Sequence, residues 1–300
     1  MRVLDARDTA GVLPYGPLSL VIAQVLRDKA AGLVKAPARL NLDLPGGASL
    51  LAMPVCDDRL AVIKVISIHP GNAAKGLPVT QAEVLVMRAD SGERVCLLDG
   101  ATLTARRTAA ASLLAARLLA PEPAGPLLVI GAGAQARAHA QAFMRELGVG
   151  EAYVHSPTTS KAQALADELG VLGRASVVSD PAQVLNRVNL IVTATTSPVP
   201  VMPDMVRPEA FIAAVGSFKP NQAEVPTGLV RRARVYVDAL EEAREEAGDL
   251  ILADVDWSRV TPLEQTLDST PAKGGPVLYK SVGHAVLDLA AARLAVRQLS

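Results

Sequence analysis

Cysteine is scarce in this chain of 300 residues: Cys56 and Cys96 are the only two. No metal-ligand spacing relates them, which excludes a thiolate metal centre, and both are expected to sit reduced in the interior. An excess of either charge is also missing. Thirty basic residues balance thirty acidic ones and no basic tract stands out, which argues against nucleic acid and anionic membranes as partners. Half of the residues are apolar, yet no run approaches the ~20 apolar residues of a membrane span. The opening residues Met1 to Asp8 lack the apolar core of a signal peptide. No internal repeat or low-complexity segment is visible. The expectation is a cytoplasmic protein of one or two domains with a substantial core.

What is present centres on Leu127-Leu128-Val129-Ile130-Gly131-Ala132-Gly133-Ala134-Gln135-Ala136. Four apolar residues make a short buried strand, and a Gly-x-Gly-x-x-Ala turn opens directly into a helix. Gly131 lets the backbone turn sharply, Gly133 leaves room for a pyrophosphate, and Ala136 lets the helix pack close to the strand. The N–H groups at the helix start, around Ala134 and Gln135, then face the phosphates. Ala136, Ala140, Phe143, Met144 and Leu147 follow at helical spacing. After Gly148 and Gly150, the run Ala152-Tyr153-Val154 begins a second strand. This is the pattern of a dinucleotide-binding fold.

Ahead of it, residues 17–33 read as a helix, and strands are expected over 49–55 and 60–68. Lys64 sits in the middle of Leu60-Ala61-Val62-Ile63-Lys64-Val65-Ile66-Ser67-Ile68. A lysine among apolar neighbours is costly to bury without a partner. It either snorkels from an edge strand or points a cation into a site. Residues 83–89 and 94–98 form a hairpin across Asp90-Ser91-Gly92. With no helices between them, these strands make an antiparallel or mixed sheet. A helix is expected over 104–120, capped by Thr104. Arg106 and Arg107 would lie in its first turn, unfavourably for the helix dipole unless an anion is near. One of them is therefore a candidate carboxylate or phosphate ligand, the alternative being a solvated pair.

Pro121, Pro123 and Pro126 mark a crossing. Strand and helix then alternate to about residue 253, with strands over 176–178, 190–193, 211–215 and 235–237. Thr193 to Ser197 and Gly216-Ser217 fall at strand C-termini, where open α/β sheets bind ligands. The run Glu241, Glu242, Arg244, Glu245, Glu246 reads as an exposed helix face. The final helix has no strand after it and is expected to return to the N-terminal part. The expected organisation is α/β: a Rossmann dinucleotide-binding domain over 121–274 and a discontinuous, sheet-rich substrate and dimerisation domain over 1–120 and 275–300. His139 is expected to be a packing residue and His284 a cap-region or interface residue.

A fold that reads NAD usually places an acid at the end of the second strand. Here that region is Val154-His155-Ser156-Pro157-Thr158-Thr159-Ser160-Lys161, with no acid. Hydroxyls, a lysine and His155 suit a 2′-phosphate, which a carboxylate would repel. NADPH is expected, with NADH as the alternative, because the arginine that would bind a phosphate best is missing too.

The chain resembles the ornithine cyclodeaminase/mu-crystallin family over nearly its whole length. The resemblance rests on Pro37-x-Arg39, Met53-Pro54, Lys64 with His69-Pro70-Gly71-Asn72 and Gly76-Leu77-Pro78, and Asp99-Gly100 with Leu103-Thr104-Ala105-x-Arg107-Thr108-Ala109-Ala110. It continues through Gly131 to Ala136, Ala214-Val215-Gly216 and Lys280-Ser281-x-Gly283. It implies a homodimer formed through the sheet-rich domain, and Arg39, Lys64 and Arg107 around a substrate carboxylate near a nicotinamide. Ser156, Thr158 and Lys161 fall in the family's adenosine-phosphate segment, with Pro157 in place of the usual arginine. Thr193, Thr195, Thr196, Val215 and Ser281 fall where the other half of the cofactor is held.

Two departures bear on the reaction. Family members that cyclise ornithine carry an Asp where this chain has Phe218 and a Glu where it has Leu51. Without these carboxylates no base for deamination is evident. The segment Gly216-Ser217-Phe218-Lys219-Pro220 looks like the branch that reduces cyclic ketimines. The expected reaction is NADPH-dependent reduction of Δ1-pyrroline-2-carboxylate, and of the six-membered Δ1-piperideine-2-carboxylate, to L-proline and L-pipecolate. Arg39 and Arg107 would clamp the carboxylate. Lys64 would donate the proton or orient the carboxylate; orientation is preferred, since a donor needs a lowered pKa that a sequence does not display. The alternatives are an ornithine cyclodeaminase or amino-acid dehydrogenase on the same scaffold, and a non-catalytic NADPH-dependent ligand binder of mu-crystallin type.

Overall fold

Successive side chains of an extended strand point to opposite faces, which places Leu60, Val62 and Lys64 on one buried side of the strand 60–68. The computed structural model describes residues 1–268 and 274–299. They form two compact units, residues 1–107 with the segment from His284 onward, and residues 108–283. No helix among the described residues is long and apolar enough to cross a membrane.

In the first unit β1 (Arg2–Leu4) leads to α1 (Ala6–Gly11) and α2 (Tyr15–Ala30). Then come β2 (Leu40–Leu44), β3 (Ala48–Cys56), β4 (Leu60–Ile68), β5 (Thr80–Arg88) and β6 (Arg94–Asp99). They build a six-stranded sheet in the order β1-β6-β5-β4-β3-β2. All pairs are antiparallel except β1 with β6. The mixed sheet expected from helix-free strands is therefore present. Lys64 pairs with Met53 on β3 and Val84 on β5, so β4 is a central strand and Lys64 is not an edge lysine.

Helix α3 (Gly100–Leu119) starts four residues before the expected Thr104. Its cap is Asp99, whose carboxylate accepts from the Thr102 N–H at 2.7 Å. Arg106 and Arg107 thus lie beyond the first turn, out of reach of the positive end of the helix dipole. The boundary between the units falls within this helix, at 107/108, rather than at 120/121 as the proline-rich segment suggested.

In the second unit β7 (Leu127–Ile130), α4 (Ala134–Glu146), β8 (Glu151–His155), α5 (Thr159–Leu169), β9 (Arg174–Val177), β10 (Leu190–Thr193) and β11 (Phe211–Ala214) follow one another. After them come α6 (Thr227–Arg232), β12 (Arg234–Val237), α7 (Leu240–Glu246), α8 (Gly248–Ile251), β13 (Thr261–Pro262) and β14 (Val277–Lys280). The sheet order is β13-β12-β14-β11-β10-β7-β8-β9, with parallel pairing throughout. The strands are short and apolar on both faces, as a sheet covered by helices on each side requires; Leu128, Ile130, Ile191, Ile212 and Leu278 are all buried. Because β14 lies inside this sheet, residues 275–283 belong here and not with the final helix. That helix, α9 (Ala285–Leu299), belongs to the first unit, where it packs on α2, β3 and β4.

His139 is fully buried on α4. Its Nδ1 lies 2.8 Å from the Gln135 carbonyl and its Nε2 lies 2.9 Å from the Ser112 hydroxyl. Burial pushes its pKa down from 6.5 to about 4, with the Gln135 carbonyl opposing. The unfolded chain takes up a proton below pH 6.5 that the folded one refuses until about pH 4. Stability is therefore whole above this window and is lost as pH falls through it. The loss between pH 7 and pH 5 is about 2 kcal/mol. Urea titrations of a His139→Gln variant should show a pH 7-to-5 decline smaller by about that amount.

Candidate functional site

The second unit brings its ligand-type loops together at the C-terminal ends of the strands. The chain leaves β7 for β8 on one side, and β10 lies on the other, so the strand order reverses between β7 and β10. Gly131 sits at that reversal with φ 120°. A Cβ there would collide with the Ala194 carbonyl, so the loops after β7 and β10 approach as closely as only glycine allows. Gly133 is the N-cap of α4, with no side-chain cap and open space where a Cβ would be. Ala136 is buried, and no acidic residue enters the first turn. The first N–H groups of α4, at Ala134 and Gln135, thus face an open side without competing carboxylates.

Two buried polar atoms nearby, Thr193 Oγ1 and Gln135 Oε1, have no partner among the described residues, which is costly unless a ligand supplies one. The cradle, the free helix start and these orphaned atoms all fit a dinucleotide. Replacing Gly131 by alanine forces the loop away from Ala194 at a cost of about 1–3 kcal/mol. The Kd for reduced dinucleotide, followed by its fluorescence, should rise by about tenfold or more with the far-UV spectrum unchanged.

Ser156, Thr158 and Lys161 follow β8, next to the glycine turn in the sheet. Thr158 is the N-cap of α5 and makes no side-chain cap bond. The Ser156 hydroxyl accepts from the Thr158 N–H at 3.3 Å. Thr158 and Lys161 are exposed and no acid lies in the first turn of α5. His155 is tied back to the Val178 carbonyl through Nδ1 at 3.1 Å.

Three further expected residues are occupied by protein contacts that the sequence did not reveal. The Thr195 hydroxyl donates to Glu224 Oε1 at 2.8 Å, and the Thr195 N–H donates to the same atom at 2.7 Å. Glu224 Oε2 accepts from the Gly216 and Ser217 N–H groups at 2.7 and 3.2 Å. One fully buried carboxylate therefore fastens the loop after β10 to the loop after β11. Val215, just before that clamp, donates its N–H to the Thr193 carbonyl at 2.9 Å. Ser281 donates its hydroxyl to Asp238 Oδ2 at 2.6 Å, and Asp238 also accepts from the Val282 and Gly283 N–H groups. Lys280 pairs with Asp249 at 2.7 Å and donates to the Ser217 carbonyl at 2.5 Å. These segments offer a ligand their backbone and shape. Thr196 is exposed beyond the clamp.

The first unit holds a second cluster. Lys64 has no solvent exposure, and its Nζ lies 2.9 Å from Oδ1 and 2.8 Å from Oδ2 of Asp288. Arg107 Nε lies 3.2 Å from the same Oδ1, and Arg107 is itself buried. The structure resolves the choice between the neighbouring arginines. Arg106 stacks over the Tyr15 ring at 4.3 Å, a structural cation–π contact, while Arg107 joins the lysine. Burial pushes the Lys64 pKa down to about 8. Asp288 opposes that shift, whereas Arg107 and Arg39 reinforce it. Arg39, at the entrance to β2, is therefore close enough for its charge to be felt. All three expected basic residues are thus gathered about the Asp288 carboxylate.

Asp288 was missed in the sequence. The signal was legible: it lies three and seven residues before Ala291 and Ala295, on the apolar stripe of α9. A buried acid there and a buried lysine on β4 each needed a partner. Among the described residues no cluster of His, Cys, Asp and Glu could hold a metal.

Several known proteins share this architecture. Δ1-Pyrroline-2-carboxylate reductase 1 of Burkholderia multivorans is 39% identical over 98% of this chain and 94% of its own length. The Δ1-pyrroline-2-carboxylate/Δ1-piperideine-2-carboxylate reductase of Azospirillum brasilense is 38% identical over the same shares. Among solved structures, Δ1-pyrroline-2-carboxylate reductase of Thermococcus litoralis, in complex with NADH and L-proline, superposes with a TM-score of 0.92 at 26% identity, covering 99% of this chain and 97% of that one. The model of the ornithine cyclodeaminase/mu-crystallin family matches residues 17–299. With two sheets, a dinucleotide cradle and a buried lysine–arginine cluster in place, the chain belongs to the ornithine cyclodeaminase/mu-crystallin family.

Proposed function

We propose that this chain, an oxidoreductase acting on C=N groups with a nicotinamide coenzyme, reduces Δ1-pyrroline-2-carboxylate and Δ1-piperideine-2-carboxylate to L-proline and L-pipecolate. The observation that carries the reading is the buried Lys64, paired with Asp288 beside Arg107 and depressed to about pKa 8. The positive charge of Lys64 and Arg107, gathered in a buried place, favours a small anion. Oδ1 of the Asp288 carboxylate accepts from both Lys64 and Arg107, and Oδ2 lies 2.8 Å from the same ammonium, so its charge is already balanced by two cations. Leu51, opposite Ile66 in the sheet, and the part-exposed Phe218 supply no acid in its place. This argues against expulsion of ammonia from ornithine.

A reduced nicotinamide dinucleotide, with its pyrophosphate held at Gly131–Ala136, would supply the hydride. Arg107 and Arg39 hold the substrate carboxylate through charge-assisted hydrogen bonds of about 1.5–3 kcal/mol each. As the imine carbon gains the hydride, the π electron pair moves onto nitrogen, which must carry a proton. Lys64 supplies it when the imine arrives neutral, and its lowered pKa suits a donor near neutral pH. That property turns the reading from mere orientation towards proton transfer.

NADPH is the proposed coenzyme, on the acid-free segment of Ser156, Thr158 and Lys161. We also propose a homodimer through the sheet of the first unit, whose edge strand β2 exposes Leu40 and Leu42.

The test is spectrophotometric. NADPH oxidation is measured with each cyclic ketimine, and NAD⁺ reduction and ammonia release are measured with ornithine in parallel. Imine-dependent oxidation is the expected outcome. Ammonia release from ornithine, or tight NADPH binding without turnover of either imine, would overturn the reading.

A further inference from the structure

We propose that Asp288 is a positioning residue for the proton step, a buried splint that keeps the Lys64 ammonium charged and aimed while holding Arg107 in line beside it. The proposal rests on the ketimine-reductase reading for the role of Lys64, and on this structure for the geometry.

A lysine with no solvent exposure tends to shed its proton, because the interior cannot replace the hydration of an ammonium. The groups facing Lys64 can be counted element by element. Met53 on β3 and Val84 on β5, its partners in the sheet, carry no charge. Arg107 on α3 and Arg39 ahead of β2 are both positive and favour the neutral amine. Among the described residues Asp288 on α9 opposes them. Nζ donates to Oδ1 at 2.9 Å, which gives it a direction, and lies 2.8 Å from Oδ2, which accepts no hydrogen bond and adds its charge alone.

The same carboxylate takes only Nε of Arg107, so the two terminal guanidinium nitrogens are not spent on it and suit a bidentate grip on a substrate carboxylate. Asp288 itself lies in the first turn of α9. His284 stabilises that turn by accepting the Val286 N–H at 3.1 Å. Proton donor and carboxylate clamp are therefore one rigid unit joined through a residue that need not touch the substrate.

Asp288→Asn is the test. In the wild type, kcat for cyclic-imine reduction should fall as pH rises through about 8. In the variant this alkaline limb should move down by about one pH unit or more. kcat at pH 7 should drop by about 10–100-fold, KM should rise less than in an Arg107 variant, and the NADPH Kd should hold. Asp288→Glu, which keeps the charge, should retain the wild-type limb at reduced kcat. An equal loss at every pH, with the limb in place in Asp288→Asn, would mean a merely structural role and overturn the proposal.

A second readout does not depend on turnover. Binding of the non-reducible anion pyrrole-2-carboxylate, measured by calorimetry in buffers of different ionisation enthalpy, should draw a proton onto the wild-type protein near pH 8.5. The uptake should be absent in Lys64→Arg and shifted to lower pH in Asp288→Asn. Unshifted uptake in Asp288→Asn sinks the proposal even if no imine is reduced. Absence of imine turnover with the shift intact would sink only the functional reading.

Discussion

Arg107→Ala raises the KM for Δ1-pyrroline-2-carboxylate by about 10–150-fold and lowers kcat/KM at least as far, with little change in NADPH affinity. The range corresponds to one charge-assisted interaction of about 1.5–3 kcal/mol lost from the bound carboxylate. Arg107 is buried and shares Asp288 with Lys64, so its removal also frees one edge of that carboxylate. The loss should therefore appear in kcat as well as in KM, unlike the loss of a uniform binding contact. Steady-state kinetics with a fluorescence titration of NADPH decide it. Kinetics within twofold of the wild type would remove the clamp from the mechanism. Arg106→Ala is the internal control: its guanidinium lies over Tyr15, and a modest change in stability with unaltered KM is expected.

The second large effect concerns Lys64. Lys64→Met should lower kcat by about 10²–10⁴-fold, the usual weight of a positioned acid, with a smaller change in KM. Removing one partner of a buried ion pair costs about 3–5 kcal/mol of stability. Thermal melts and NADPH binding must therefore accompany the kinetics. The variant keeps Arg107 on Asp288, which limits the uncompensated charge. The wild-type alkaline limb at about pH 8 should be absent from whatever activity survives. A full kcat in folded Lys64→Met would leave protonation to an imine that arrives already charged, and Lys64 to orientation alone.

Much of this was legible residue by residue. The run from Leu127 to Ala136 announced a strand, a tight turn and a helix, because small residues at three spacings have separate steric tasks that leave few other solutions. The nearly unbroken apolar run of 60–68, β-branched at Val62, Ile63, Val65, Ile66 and Ile68, gave β4 its bounds. The oddity of Lys64 was visible as a charge on an apolar strand. Other features were not legible. The start of α3 was misplaced because Asp99 and Thr104 are both acceptable caps, and only the observed bond to Thr102 distinguishes them. The unit boundary was set by prolines in the sequence, whereas the contacts divide the chain inside α3. Thr195 and Ser281 look like ligand-binding hydroxyls in one dimension, and the carboxylates that engage them come from positions 224 and 238.

The sequence by itself determined the parallel dinucleotide fold, the mixed sheet and the family, because periodicity and small-residue spacing are local constraints carried in consecutive residues. Only the tertiary structure decided that Arg106 is spent on the Tyr15 ring and what holds the lysine's proton. Asp288 stands 224 residues from Lys64 along the chain, and the field of a neighbouring carboxylate depends on distance in space and on excluded water, neither of which a linear pattern records.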